Sequence, residues 1–302
     1  MNIAVIGAGA VGGFVGMMLK KAGHDVTFLA RGRHLDAMRE QGLTLHHQHG
    51  TFTEHDTFTN QYEEISKADL LLFTVKSTET RQAIELIKPY KKANAFVLTL
   101  QNGVNNEEIL ADAFGETHVL SGAAHLSAKI EDPGVIRQEG EHIFYIGGLH
   151  PAQESYAEEV VRALQEAEVR CKLSSDIMRR KWEKSLWNVT FNPLSAITGA
   201  KVGEILDDPK LLQTSKQVFA EMLHISKLAN IDISENAAER VFADAALVRN
   251  HKTSMLQDRE QRKRMETESL CGYFVKLGRS KGLDVSVLGT IYSVLTFIDQ
   301  AG

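Results

Sequence analysis

The chain begins Met1-Asn-Ile-Ala-Val-Ile-Gly-Ala-Gly-Ala-Val-Gly12, and no other stretch narrows its folding options as far. Residues 3–6 are an apolar run of the kind buried on both faces of a parallel sheet. Gly7-x-Gly9-x-x-Gly12 follows at once. Gly7 suits the tight turn from strand to helix. Gly9 lets a pyrophosphate approach a backbone that a Cβ would shield, and Gly12 lets the next helix pack close on the strand. That helix carries Val11, Phe14, Val15, Met18, Leu19 and Ala22 on its apolar side. Its N-terminus offers unpaired N–H groups and a partial positive charge. The pattern predicts a dinucleotide held by Gly7, Gly9, Ala10, Val11 and Gly12. The competing reading is a glycine-rich turn in another α/β domain.

A second strand, Asp25 to Leu29, ends in Ala30-Arg-Gly-Arg-His34. A site for NAD usually places a carboxylate there, to accept hydrogen bonds from the ribose 2′-hydroxyl. Here the position is basic. A guanidinium attracts a 2′-phosphate and binds it through parallel hydrogen bonds. The expectation is NADPH, with Arg31 on the 2′-phosphate and Arg33 in support; the alternative is a solvated basic turn.

The first half of the chain alternates strand and helix. Strands are expected at 69–75, 95–100, 118–124, 144–147 and 169–173, with helices at 77–87 (Ser77 as N-cap), 107–114 and 153–167. Residues 44–62, with Thr-rich alternation, read as an added hairpin or as irregular strands. Beyond Asp176 strand signals stop and helical patterns dominate. The expected fold is α/β: an N-terminal Rossmann-type doubly wound, mostly parallel sheet at 1–173, followed by an all-α C-terminal domain at 174–302. At 302 residues the length suits one large or two moderate domains, and a net charge of −5 argues against nucleic acid as a partner. Two distant cysteines, Cys171 and Cys271, fit a reducing cytoplasm. The apolar start reads as strand rather than signal peptide, and no run long enough to span a membrane occurs. Ligands gather at strand carboxyl ends and between domains, so the site is expected where the helical domain closes over the nicotinamide.

Residues 181–194 read Lys-Trp-Glu-Lys-Ser-Leu-Trp-Asn-Val-Thr-Phe-Asn-Pro-Leu. Lys184, Asn188 and Asn192 stand at i, i+4 and i+8, one stripe of a helix that is otherwise apolar. A lysine and two amides facing a buried space are costly unless something binds them. A small polar substrate would meet that need. A partly desolvated lysine also has its pKa lowered, which suits proton donation to a carbonyl oxygen during reduction. The alternative is a lysine that snorkels to water beside amides bonded to backbone.

These features, taken together, resemble the ketopantoate reductase (2-dehydropantoate 2-reductase) family. The resemblance rests on Gly7-Ala-Gly-Ala-Val-Gly12, Thr74-Val-Lys76, Gln101-Asn-Gly103, Lys184-x-x-x-Asn188-x-x-x-Asn192-Pro193 and Thr253-Ser-Met-Leu-Gln-Asp258 with Glu266 beyond it, in order over essentially the whole chain. It implies Lys184 as catalytic proton donor and Glu266 as a carboxylate that contacts the substrate hydroxyl and supports that lysine. It implies Asn102 between nicotinamide ribose and substrate, and Lys76 on the cofactor side. Asn188, Asn192 and Ser254 would orient the keto acid. The activity implied is NADPH-dependent reduction of 2-dehydropantoate to (R)-pantoate, toward pantothenate and coenzyme A. From the residues alone, Asn102-Gly103 also reads as a turn dipeptide and Lys76 as a solvated residue before a helix cap.

Ser254 and Glu266 would lie ~18 Å apart on one straight helix, so the chain must break between Arg259 and Met265 if both reach one small molecule. No Gly or Pro marks that break, and the charged run itself reads as a solvent-facing helix. The chain also departs from the family. Met265 replaces a threonine and cannot cap a helix, Glu268 competes with Glu266 for the carboxylate role, and Val202-Gly203 stands where many relatives have Asn-Gly. Substrate identity is therefore open to another small 2-keto acid or an opine-type substrate; a non-catalytic NADPH sensor would not need the Lys184, Asn188, Asn192 and Glu266 set. A metal at His46, His47, His49 and His55 is not expected. The apolar stretch 287–298 reads either as a homodimer face or as core of the helical domain.

Overall fold

The computed structural model describes residues 1–55 and 57–301. The backbone divides into two compact units. The first is Met1–Gln101 with Asn106–Met178, and the second Asn102–Asn105 with Arg179–Gly302. The four-residue loop Asn102–Asn105 thus joins the second unit although its flanks belong to the first.

The first unit contains β1 (Asn2–Ile6), α1 (Ala10–Lys21), β2 (Asp25–Leu29), α2 (Gly32–Gln41), β3 (Leu43–His47), β4 (Gly50–Glu54), β5 (Thr57–Thr59), β6 (Leu70–Phe73), α3 (Thr80–Ile87), β7 (Phe96–Thr99), α4 (Asn106–Phe114), β8 (Val119–Asp132), β9 (Val135–Gly148), α5 (Glu154–Glu166) and β10 (Cys171–Leu173). The strands make one sheet in the order β4-β3-β9-β8-β7-β6-β1-β2-β5, with β10 beside β9. Pairing is parallel except at β3–β4 and β8–β9. Alternate side chains of β1 feed opposite cores, as a period of two requires. Ile3 and Val5 pack with Phe14, Met18 and Leu19, whereas Ala4 and Ile6 pack with Ile84, Ile87 and Leu110. The sheet is therefore covered on both faces, the doubly wound arrangement expected.

Several local expectations need correction. The strands foreseen at 118–124 and 144–147 are the buried halves of a 14-residue pair closed at Pro133-Gly134. The outer half of β8 alternates exposed and half-buried residues, that of β9 buries Ile136 and Gln138, and the two carry Lys129, Glu131, Arg137 and Glu139, a composition that reads as loop. Ser77 is not an N-cap. It opens a 3₁₀ turn, Ser77–Glu79, and α3 begins only at Thr80. The histidine-rich stretch forms the β3–β4 hairpin, where His47 is buried against the Phe14 ring.

The second unit is helical throughout its described residues: α6 (Ile177–Thr198, its first two residues in the first unit), α7 (Val202–Asp207), α8 (Pro209–Leu228), α9 (Glu235–Leu247), α10 (Ser254–Glu260), α11 (Tyr273–Ser280) and α12 (Ser286–Ala301). A π-helical turn, Glu268–Gly272, precedes α11. Trp182 packs edge-on to Phe274, and Phe191 to Phe242. Glu221 accepts from the N–H groups of Val287 and Leu288 at 2.9 and 2.8 Å, placing a carboxylate at the positive end of α12. Among the described residues no helix is long and apolar enough to cross a membrane.

The expected break after Arg259 is present, and its chemistry explains why no glycine announces it. Arg262 itself takes the left-handed conformation, φ +53°. Its N–H bonds the Arg259 carbonyl at 3.0 Å and the Lys263 N–H bonds that of Asp258 at 2.8 Å, the two hydrogen bonds of a Schellman cap. The charged run is also not wholly solvent-facing. Arg259 is half-buried, and its guanidinium donates to the carbonyls of Ala196 and Ile197 (3.0 Å to the latter), which closes the last turn of α6. Met265 is buried and caps nothing; its N–H is taken by Asp299 Oδ1 at 2.7 Å.

Candidate active site

In the first unit the glycine-rich loop lies at the carboxyl end of β1, with β2 and β6 on either side. Gly7 has φ +97°, and a Cβ there would meet Val75 N at 2.9 Å. A Cβ at Gly12 would run into Thr74 Oγ1 and lie 2.5 Å from the Gly7 carbonyl. Gly9 differs: among the described residues, its own chain neighbours aside, nothing lies within 4 Å of where its Cβ would be. It is also the N-cap of α1 and supplies no side-chain cap. Open space in front of an uncapped helix N-terminus suits the pyrophosphate of a dinucleotide. Thr74 Oγ1 donates to the Gly7 carbonyl at 2.8 Å and ties the loop to the end of β6.

Around this loop stand the other cofactor-side candidates. Lys76 lies between β6 and the 3₁₀ turn, half-buried. Arg31 precedes α2 with an exposed side chain and is ion-paired with Glu79. No sequence pattern assigns Glu79 a role, and Gln101 enters only as part of the Gln101-Asn-Gly103 motif. Buried Gln101 donates from Nε2 to the Val75 carbonyl and to Thr80 Oγ1, both at 2.8 Å, so it braces the segment that follows β6. Its bond to Thr99 is local, but the two that brace this segment reach Val75 and Thr80, more than 20 residues away, and no local pattern announces them.

In the second unit three of the candidates form one hydrogen-bonded row. Lys184 Nζ donates to Asn102 Oδ1 at 2.9 Å, and Asn102 Nδ2 donates to Glu266 Oε2 at 3.1 Å. Gly103, at φ +83°, forms the turn that presents Asn102, and a Cβ there would press on Ser269 at 3.1 Å. Glu268 is engaged elsewhere, accepting from Tyr292 Oη at 2.7 Å and pairing with Lys276. Geometry therefore sets Glu266, not Glu268, in line with the lysine.

Burial is the main force on the Lys184 ammonium. It and the Lys181 charge one turn earlier lower the pKa, Glu266 raises it, and the result is about 8. Such a group is protonated at neutral pH yet gives up its proton readily. Asn188 and Asn192 lie on the same helix, both buried. Among the described residues Asn192 Oδ1 has no hydrogen-bond partner, so a ligand donor would relieve it. Ser254 opens α10 and is exposed, outside the Lys184–Asn102–Glu266 row. Val202 is fully buried at the start of α7, where Gly203 packs against Arg249.

Comparison with known proteins agrees over the full length. The model of ketopantoate reductase PanE/ApbA matches residues 3–151, and that of its C-terminal part matches 176–299. A 2-dehydropantoate 2-reductase of Archaeoglobus fulgidus is 33% identical, covering 99% of this chain and 98% of its own. A PanE/ApbA family ketopantoate reductase from Ralstonia eutropha JMP134 superposes with a TM-score of 0.94 at 27% identity, over 100% of this chain and 99% of that one. D-mandelate dehydrogenase with NADH and anilino(oxo)acetate shares the fold, with a TM-score of 0.93 at 21% identity over 100% and 99% of the two chains. The chain belongs to the ketopantoate reductase PanE/ApbA family.

Proposed function

We propose that this protein is an oxidoreductase that reduces 2-dehydropantoate to (R)-pantoate with NADPH. The observation that carries the reading is the row Lys184–Asn102–Glu266, an ammonium with a lowered pKa held by an amide that is itself held by a carboxylate. The name of the Archaeoglobus relative supports the substrate. When bound, the nicotinamide supplies a hydride to the keto carbon. Lys184 Nζ gives the proton to the keto oxygen as charge develops there, so that a C–H and an O–H bond form and the C=O π bond is lost. Asn102 fixes the direction of the lysine donor. Glu266 orients Asn102 and offsets part of the desolvation of the ammonium. Asn188, Asn192 and Ser254 bind the carboxylate and hydroxyl of the keto acid.

The cofactor is assigned to the first unit, with Gly7, Gly9, Ala10, Val11 and Gly12 at the pyrophosphate, Arg31 at the 2′-phosphate and Lys76 nearby. The family resemblance would give Asn102 the nicotinamide ribose as a hydrogen-bond partner. The keto acid is assigned to the second unit. A cytoplasmic location fits two buried free thiols, and a homodimer fits the exposed Val294 and Phe297 of α12. Val202, apolar and buried, favours keeping one second reading open, in which the substrate is another small 2-keto acid or an opine-type compound.

The test is NADPH oxidation followed with ketopantoate, ketoisovalerate, pyruvate and oxaloacetate, for wild type and Lys184→Ala. Preference for ketopantoate and loss of ~10²–10⁴-fold in kcat in the variant are expected. Turnover of ketopantoate no better than of the other acids would refute the substrate. Near-full activity in Lys184→Ala would refute the proton donor.

A further inference from the structure

β1 is flanked in the sheet by β2 and β6, and its glycine-rich loop opens between their carboxyl ends. Arg31 comes off β2 and Glu79 off β6, and the two are ion-paired. The pair therefore bridges the two sides of the loop where the adenosine ribose of a bound dinucleotide belongs. The side chains are 70% and 34% exposed, so both remain open to a ligand. In an NAD site a carboxylate at the end of β2 takes the ribose hydroxyl. Here that position is Arg31, and a carboxylate reaches the same place from the β6 side.

We propose that Glu79 is a specificity-determining residue for the cofactor: it opposes a 2′-phosphate, accepts a hydrogen bond from an unphosphorylated 2′-hydroxyl, and so narrows the preference for NADPH over NADH. A 2′-phosphate must share one guanidinium with a carboxylate already on it, which brings like charges together. An unphosphorylated ribose meets no such repulsion, and its hydroxyl finds the acceptor that β2 does not supply. Arg31 and Glu79 act as opposed halves of one selector, the cation favouring phosphate and the anion favouring hydroxyl.

The inference rests on a nicotinamide dinucleotide at the glycine-rich loop and on nothing about the keto acid. Dissociation constants for NADPH and NADH are measured on the full chain without substrate, for wild type, Glu79→Gln and Arg31→Gln. Glu79→Gln should tighten NADPH about tenfold, the size expected on removing a like charge near a surface, and weaken NADH. Arg31→Gln should weaken NADPH and leave NADH nearly unchanged. Thermal unfolding of each variant checks that the fold is kept, as the exposure of both side chains leads one to expect. If the ratio of the two constants is the same in Glu79→Gln as in wild type, or if NADPH binds more weakly there, the proposal is overturned while the dinucleotide reading stands. If wild type binds neither cofactor, both fall.

Discussion

Replacing Lys184 by methionine should make the protein more stable near neutral pH while abolishing turnover. Lowering an ammonium from 10.5 to about 8 costs the folded state ~3 kcal/mol wherever the group is charged, at ~1.4 kcal/mol per pH unit. Methionine removes that cost with little change in shape. It also removes the 2.9 Å charge-assisted bond to Asn102, worth ~2 kcal/mol, so the net gain at pH 7 is ~1 kcal/mol. The sign with pH follows from proton counting. Between pH 8 and 10.5 the unfolded chain still binds the lysine proton and the folded one has lost it, so wild-type stability rises with pH across that window relative to the variant. By the upper end the wild type has regained ~3 kcal/mol and is the more stable of the two by ~2 kcal/mol. Guanidinium chloride unfolding of both proteins at the two ends of the window measures the gap, and all other titrations cancel in the difference. A gap that does not change with pH, or a variant less stable at both ends, would refute the argument that the ammonium is held at a desolvation cost.

Three further outcomes are expected. Gly9→Ala should fold with near-wild-type stability yet lose dinucleotide binding, because its Cβ meets only the space left for phosphate, whereas Gly12→Ala should lose ~1–3 kcal/mol through overlap with Thr74 and the Gly7 carbonyl; unfolding and cofactor titration separate the two. Glu266→Gln should lower kcat, but Glu268→Gln, which touches Tyr292 and Lys276, should not; equal effects would contradict the geometric choice between them. Lys181→Gln removes a charge that lowers the Lys184 pKa, so the alkaline fall in kcat/KM, expected near pH 8 in wild type, should move upward, and an unmoved profile would count against this coupling.

Features written in local periodicity were legible in the chain. The apolar run into Gly7-x-Gly9-x-x-Gly12 required a buried strand, a tight turn and a helix pressed on the sheet, and each glycine has the surroundings its role needs. The i, i+4, i+8 stripe placed Lys184, Asn188 and Asn192 on one face of α6 because helical pitch is a property of consecutive residues. The β8–β9 hairpin was not legible beyond its buried halves, since charged residues on an exposed alternating strand look the same as a loop. Nor was the cap at Arg262, where two backbone hydrogen bonds do what a glycine usually signals.

The doubly wound half, the helical half and the residue types on which reduction chemistry would rest are written in the order of residues, because they follow from patterns of nearest neighbours. Which groups meet emerges only in the folded chain: Asn102 joins the second unit, Glu266 rather than Glu268 bonds it across 164 residues, and Glu79 holds Arg31 across 48. Those contacts depend on strand order and on the path of the chain between elements, and charge or hydrogen-bonding capacity at one position carries no record of the distant partner that will satisfy it.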